Sequence, residues 1–212
     1  VTQVVVTNKN CYDTVSKNVV IYPLPVAAFN SNDTCFGFTN NFFDNSTISG
    51  STIITYVWDL GDGNFAATQN TSRNYAAVGS YNVELKVLTA NGCSDSITNT
   101  INVFPVPVAD FSVSSVCEDD LAVFADSSKV THPASVTSWL WKFGDGDSSI
   151  SQNPGHNYTY GYYVVNLTVR SGNGCVDTAQ KGLVIFPEPA ANFYFISACE
   201  GDTLKFTDLS TV

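Results

Sequence analysis

Trp141-Lys142-Phe143-Gly144-Asp145-Gly146 is a near copy of Trp58-Asp59-Leu60-Gly61-Asp62-Gly63, at a separation of 141 − 58 = 83 residues. In each copy large apolar side chains alternate with others: Trp58 and Leu60 in the first, Trp141 and Phe143 in the second. Alternation at period two puts one face of a strand into a core, and Gly-Asp-Gly then forces a tight turn. The stretch reads as a core-anchoring strand and its turn, and the rest of the chain falls into register around the two copies.

Comparison of the chain with itself extends the repeat. The run Ile21-Tyr22-Pro23-Leu24-Pro25-Val26-Ala27-Ala28-Phe29 recurs from Val103 to Phe111 and again from Ile185 to Phe193. Each Pro-x-Pro between strand-like runs makes a short, stiff, extended junction. These junctions divide the chain into the C-terminal strands of one unit (1–23), two complete units (24–105 and 106–187) and the N-terminal strands of another (188–212). The two ends are complementary halves, as expected of an internal piece of a longer array; the chain begins at Val1 and has no methionine.

Within the second unit the pattern predicts strands over Ala109–Ser114, Leu121–Ala125, Ser138–Phe143, a poorly defined stretch near Ser148–Ile150, Tyr162–Arg170 and Cys175–Ile185. The first unit repeats this with Phe36–Phe43, Thr55–Leu60, Tyr81–Leu88 and Cys93–Val103. Alternations such as Tyr81, Val83, Leu85, Val87 mark one buried face, and no segment carries a helical stripe. About seven short strands in roughly 80 residues imply an all-β chain of tandem immunoglobulin-like antiparallel sandwiches. Tyr75 and Tyr158, just before the penultimate strand, sit where such sandwiches carry a tyrosine corner.

Composition narrows the function. The 212 residues are 44% hydrophobic, enough for real cores, while only 13% are charged and the net charge is −10. No basic patch exists to meet phosphates, which argues against nucleic-acid binding. No apolar run approaches the roughly 18 residues that span a bilayer.

With these motifs in order (Pro-x-Ala-x-Phe, Trp-x-Phe/Leu-Gly-Asp-Gly, His/Asn-Tyr, then Gly-x-Tyr-x-Val-x-Leu-x-Val) the chain resembles the PKD (polycystic kidney disease) domain, a β-sandwich used as a repeated extracellular module. The likeness spans both complete units and the flanking halves. Asn-Gly-Cys-x-Asp-Ser/Thr (91–96, 173–178) and Cys-Glu-x-Asp (117–120, 199–202) add a resemblance to the cysteine-containing PKD arrays of large surface and gliding-associated proteins of Bacteroidetes-type bacteria. Unit one departs at Thr34-Cys35-Phe36-Gly37, which lacks the acidic residues, and at Arg73-Asn74-Tyr75, which lacks the histidine.

The six cysteines form two series at one spacing: Cys11, Cys93, Cys175 and Cys35, Cys117, Cys199, each step 82 residues. Repeat-locked cysteines in a secreted-looking array read as disulfides, and no Cys-x-x-Cys or histidine cluster supports zinc. The conventional pairing is within units, Cys35–Cys93 and Cys117–Cys175. Topology opposes it: the two cysteines of a unit fall at opposite ends of the sandwich, a strand of about ten residues rises roughly 33 Å, and a disulfide needs Cα atoms within about 7 Å. An inter-unit Cys35–Cys175 bridge satisfies that geometry if units stack end to end, with Cys11, Cys199 and the other two pairing outside the sequence. Cys93–Cys117-type or intermolecular links complete the alternatives.

Other candidates carry a plain structural reading beside the functional one. Asp62, Asp145 and Asp147 are weak calcium ligands, since hard cations want oxygen, but aspartate also serves the backbone donors of a turn. Glu118, Asp119 and Asp120 read as a solvated loop. Trp139 with Trp141, and Tyr56 with Trp58, point the same way as a sugar platform would, yet Trp58 and Trp141 occupy the inner-strand core position. His132 and His156 are the only histidines and no nucleophile has a recurring base, so no catalysis is expected. Thr14, Ser96, Thr178 and Thr203 follow an aspartate and precede an aliphatic residue, resembling the Asp-Ser/Thr-aliphatic acceptor of Bacteroidetes O-glycosylation; ordinary strand composition explains them equally. Asn32, Asn45, Asn70, Asn157 and Asn166 stand in Asn-x-Ser/Thr sequons, most of which a bacterial source leaves unmodified.

The expectation is a structural segment (stalk, filament or adhesin shaft) of a long, secreted cell-surface repeat protein, with no cofactor. Its partners would be neighbouring units, laterally associated copies and surface glycans. The alternatives are an accessory spacer or carbohydrate-binding module of a secreted hydrolase, and a receptor ectodomain.

Overall fold

A computed structural model describes residues 1–212, and every regular element in it is a β-strand. The chain divides into two compact units between Val103 and Phe104. The first holds an N-terminal hairpin, β1 (Thr2–Val6) and β2 (Tyr12–Ser16), followed by β3 (Phe29–Asn30), β4 (Thr34–Cys35), β5 (Asn40–Asp44), β6 (Ile53–Asp59), β7 (Phe65–Ala66), β8 (Thr71–Arg73), β9 (Gly79–Thr89) and β10 (Ser94–Phe104). The second holds β11 (Phe111–Ser112), β12 (Val116–Cys117), β13 (Leu121–Val123), β14 (Ala125–Asp126), β15 (Val136–Lys142), β16 (Ser148–Ser149), β17 (Gly155–Asn157), β18 (Gly161–Ser171) and β19 (Val176–Phe186), then the short pair β20 (Phe193–Phe195) and β21 (Phe206–Asp208).

Each unit is a sandwich. In the first, the sheet β4-β10-β9-β6-β7 faces the sheet β3-β5-β8; in the second, β12-β19-β18-β15-β16 faces the pairs β11-β14 and β13-β17. The second face splits because Pro154 stands opposite Phe124, at the place Thr71 takes opposite Phe42. Phe124 donates its N–H to Pro154 O at 2.9 Å, and proline has no N–H to return. In the second unit the edge pairing departs from the antiparallel expectation: β12 runs parallel to β19, with Val116 opposite Ile185 and Cys117 opposite Phe186.

Between the layers lie Phe29, Phe42, Trp58 and the row Val83, Leu85, Val87 in the first unit, and Phe111, Phe124, Trp141 and Val165, Leu167, Val169 in the second. Trp58 and Trp141 are fully buried (0%). Phe29 and Phe111 meet them edge to face, both at 5.1 Å between ring centroids. The period-two rows read from the sequence are these rows.

Strand limits differ from the sequence reading where a turn imitates alternation. Phe36–Phe43 is not one strand: Phe38 donates its N–H to Cys35 O across a turn whose Gly37 has φ +89°, and only Asn40–Asp44 pairs. The short strands β12 and β17 have no counterpart in the sequence reading.

The flanks repeat the same geometry. The β1–β2 hairpin closes with Thr7 N–H on Cys11 O, as β9–β10 does with Thr89 on Cys93 and β18–β19 with Ser171 on Cys175. Asn10, Gly92 and Gly174 supply the positive φ (62°, 80° and 87°). The isolated bridges Val26–Thr47, Val108–Lys129 and Ala190–Thr211 likewise recur at steps of 82 residues.

Candidate functional site

The Gly-Asp-Gly turn is built by a close backbone approach. Gly61 (φ +73°) and Gly144 (φ +93°) press against the strands behind them, and an added Cβ would lie 2.5 Å from Asn82 O and 2.7 Å from Val164 O. The aspartate between the glycines staples the turn: Asp62 Oδ1 accepts the Asn64 N–H at 3.1 Å, and Asp145 Oδ1 accepts the Asp147 N–H at 3.0 Å. The second carboxylate oxygen meets a side-chain nitrogen, Arg73 Nε at 2.6 Å in the first unit and His156 Nε2 at 2.6 Å in the second. Arg73 and His156 are equivalent, since 156 − 73 = 145 − 62 = 83. Desolvation alone would raise both carboxyls, but these hydrogen bonds outweigh it and hold Asp62 and Asp145 below the ordinary carboxylate range.

Asp145, Asp147 and His156 each bring one ligand atom within 4.8 Å of the others. Three groups are well short of the six to eight oxygens calcium takes. At Asp62 the guanidinium of Arg73 already supplies the positive charge. The arrangement at both turns is that of a staple between the turn and the segment leading to the tyrosine corner.

That corner lies directly behind. Tyr75 OH donates to Leu60 O at 2.8 Å and Tyr158 OH to Phe143 O at 3.2 Å. Burial pushes both phenols well above their usual range. Trp58 Nε1 donates to Thr68 O and Trp141 Nε1 to Ser151 O, both at 2.9 Å. Trp139 is half-buried, packs against the second core and donates its Nε1–H to Asp126 Oδ2 at 2.7 Å. Glu118, Asp119 and Asp120 form an ordered turn: Glu118 N–H donates to Phe186 O, Glu118 Oε1 accepts the Tyr160 N–H, and Asp119 has φ +64°.

The cysteines fall as the topology dictates. Within the second unit Cys117 is registered on Phe186, whereas Cys175 sits just before the other end of β19, eleven residues away. In the first unit Asp33, two residues before Cys35, accepts the Asn102 N–H, far along β10 from Cys93. The intra-unit pairs Cys35–Cys93 and Cys117–Cys175 are therefore corrected: Cys93 and Cys117 are free thiols, as are Cys11 and Cys199, while Cys35 and Cys175 are disulfide-bonded.

The Asp-Ser/Thr pairs acquire a role that sequence reasoning missed. Asp95 Oδ2 accepts the Ala27 N–H and Asp177 Oδ2 the Ala109 N–H, both at 2.8 Å. Each aspartate pins the segment that follows a Pro-x-Pro to the last strand of the same unit. The neighbouring hydroxyl residues Ser96 and Thr178 are exposed, as are Thr14 and Thr203.

Residues 23–105 and 102–185 both match the family described as PKD domain. The chain belongs to the PKD domain family. Collagenase ColA of Bacillus cereus is 32% identical over 77 residues, 36% of this chain and 8% of that protein. The pre-pro-metalloprotease PrtV of Vibrio cholerae is 30% identical over 104 residues, 46% of this chain and 11% of that protein. Among solved structures, the PKD1 domain of Vibrio anguillarum Epp is 29% identical, with 38% of this chain and 93% of that one covered and a TM-score of 0.35. The chain thus spans about a tenth of the curated relatives it matches. Its two PKD units share the staple and the tyrosine corner and differ in the side chain that closes the staple, Arg73 in one and His156 in the other.

Proposed function

We propose that these tandem PKD units form a structural segment, a stalk, filament or adhesin shaft, of a long repeat protein displayed outside the cell, in the manner of the cysteine-containing surface arrays of Bacteroidetes-type bacteria. The observation that carries this reading is the pinned junction. The segments after Pro23-Leu24-Pro25 and Pro105-Val106-Pro107 are each tied by an aspartate, Asp95 or Asp177, to their own unit. Such ties shorten the free linker and favour a stiff succession of domains. On this reading residues 1–23 and 188–212 are parts of further units, which their recurrent hairpin turn and bridges support. Images of the protein from its native source test it: a long beaded rod is expected, and a compact particle with a few beads would overturn it.

We further propose that Cys35 and Cys175 are each other's partner, a covalent staple between successive units. The two cysteines of one unit are too far apart to pair, and at the 82-residue period the partners of Cys11, Cys93, Cys117 and Cys199 all fall outside residues 1–212. Peptide mapping without reductant is expected to yield the Cys35–Cys175 peptide; a Cys35–Cys93 peptide would sink the proposal.

A second reading has its own support. The curated relatives are a collagenase and a metalloprotease, each far longer than this chain. PKD units that serve as accessory spacers of a secreted hydrolase would leave a catalytic domain and few repeats in the full reading frame, where the shaft requires many. O-glycans on Thr14, Ser96, Thr178 or Thr203 would protect either assembly, and the intact mass of native material decides whether they are present.

A further inference from the structure

The outer face of the sheet β3-β5-β8 in the first unit carries an exposed aromatic ring where the equivalent face of the second unit has Ala125. Along β5, Asn40 and Phe42 are buried while Asn41 and Phe43 face out, Phe43 with 54% of its surface exposed. Asn30 is the cross-strand neighbour of Phe43 on one side, and Ser72 that of Asn41 on the other. Asn41 and Phe43 line two depressions: a groove of about 150 Å³ that also takes in Asn30, Asn32 and Thr34, and a shallow, open groove bounded by Asn70, Thr71 and Ser72. No charged side chain lines either groove, although the chain carries a net charge of −10.

The walls of the grooves are fixed from beneath. Asn40, fully buried, accepts the Thr34 hydroxyl at 2.7 Å and donates to Asn32 O at 3.1 Å. On the other side Asn70 Oδ1 accepts the Asp44 N–H at 2.9 Å. At the repeat spacing the second unit places Val116, Ala122, Val123 and Ala125 where the first has Thr34, Asn40, Asn41 and Phe43. It builds the same sandwich with those apolar residues, so the fold does not require the buried amide network or the exposed ring. A buried amide needs its hydrogen bonds to be tolerated at all; here it preorganises a surface.

We propose that this face binds neutral oligosaccharides. The exposed ring of Phe43 offers a flat apolar surface to the C–H face of a sugar ring, and the flanking amides and hydroxyls can donate to and accept from its hydroxyl groups. The absence of lining cations and the acidic field of the chain disfavour phosphorylated or uronic-acid ligands. The proposal rests on neither the shaft nor the accessory reading.

Native gel electrophoresis of the 212-residue chain through separate gels containing laminarin, xylan, galactomannan or hydroxyethylcellulose tests it, with alginate as the acidic comparison. Retardation is expected in at least one neutral gel and not in alginate. Phe43→Ala should weaken the apparent affinity at least tenfold, Phe43→Tyr should retain it, and an unchanged unfolding midpoint of Phe43→Ala would exclude a folding defect. Passage at the free rate through all four neutral gels, retardation by alginate alone, or retardation undiminished in a folded Phe43→Ala variant would each overturn the proposal.

Discussion

Arg73 and His156 hold the same place in the two PKD units, each with a side-chain nitrogen 2.6 Å from the carboxylate of the Gly-Asp-Gly turn. A guanidinium keeps its charge at every accessible pH, whereas an imidazole is charged only when protonated. His156→Arg, which puts a permanent charge beside Asp145, is expected to stabilise the second unit by about 0.5–1 kcal/mol, given the partial exposure of the pair. Urea unfolding of the isolated second unit measures the difference.

The acid limb follows from the aspartates themselves. Asp62 and Asp145 are held below their ordinary range in the folded chain, chiefly by hydrogen bonds that overcome desolvation. Such groups contribute stability that is present above the unfolded carboxyl pKa, about 3.9, and is lost as pH falls through the lower folded value. Asp145→Asn should cost about 1 kcal/mol at pH 7 and flatten the decline in unfolding midpoint below pH 4.

Gly61→Ala and Gly144→Ala should be the most damaging substitutions in the turn. The new methyl would meet Asn82 O or Val164 O, backbone atoms that cannot step aside, at a positive φ. A loss of about 3 kcal/mol or more is expected for each, against about 1 kcal/mol for Gly63→Ala and Gly146→Ala, which share the positive φ but face open space. Denaturant midpoints in the four variants give the ranking.

The tyrosine corners offer a graded pair. Tyr75→Phe leaves Leu60 O without its 2.8 Å donor, and Tyr158→Phe leaves Phe143 O without a 3.2 Å one. A loss of about 1–2 kcal/mol is expected, larger for Tyr75, from thermal unfolding of each unit alone.

Asp95→Ala and Asp177→Ala should loosen the junctions without unfolding the units. Amide exchange at Ala27 and Ala109, whose N–H groups lose their acceptors, is expected to accelerate at least tenfold, with no comparable change at core amides such as those of Leu85 and Leu167.

The sequence disclosed what is local and written twice. The strand Trp58–Leu60, its turn and the tyrosine that caps it all lie between Trp58 and Tyr75, a separation of 75 − 58 = 17, and the copy at Trp141 removes the ambiguity of a single occurrence. What stayed hidden depends on partners far along the chain. Asp95 reads as half of a modification signal because Ala27, which it binds, is 68 residues away. Phe36 and Phe38 mimic a strand because a turn through Gly37 also alternates apolar and other residues, and both rings prove exposed. Phe43 falls within that apparent strand with no sign of its face, since the side it takes is fixed by the register of β5 against β3 and β8.

The parallel pairing of β12 with β19 gives the second unit a particular response to tension. β12 belongs to the beginning of the unit and β19 to its end, so pulling the two chain ends apart slides these strands past each other along their length. Their hydrogen bonds lie across the direction of pull and are loaded in shear together, where a hairpin would unzip one bond at a time. A module wired in this way carries a shear-loaded pair at its margin, and a two-residue strand that leaves no mark in the sequence pattern supplies one side of it.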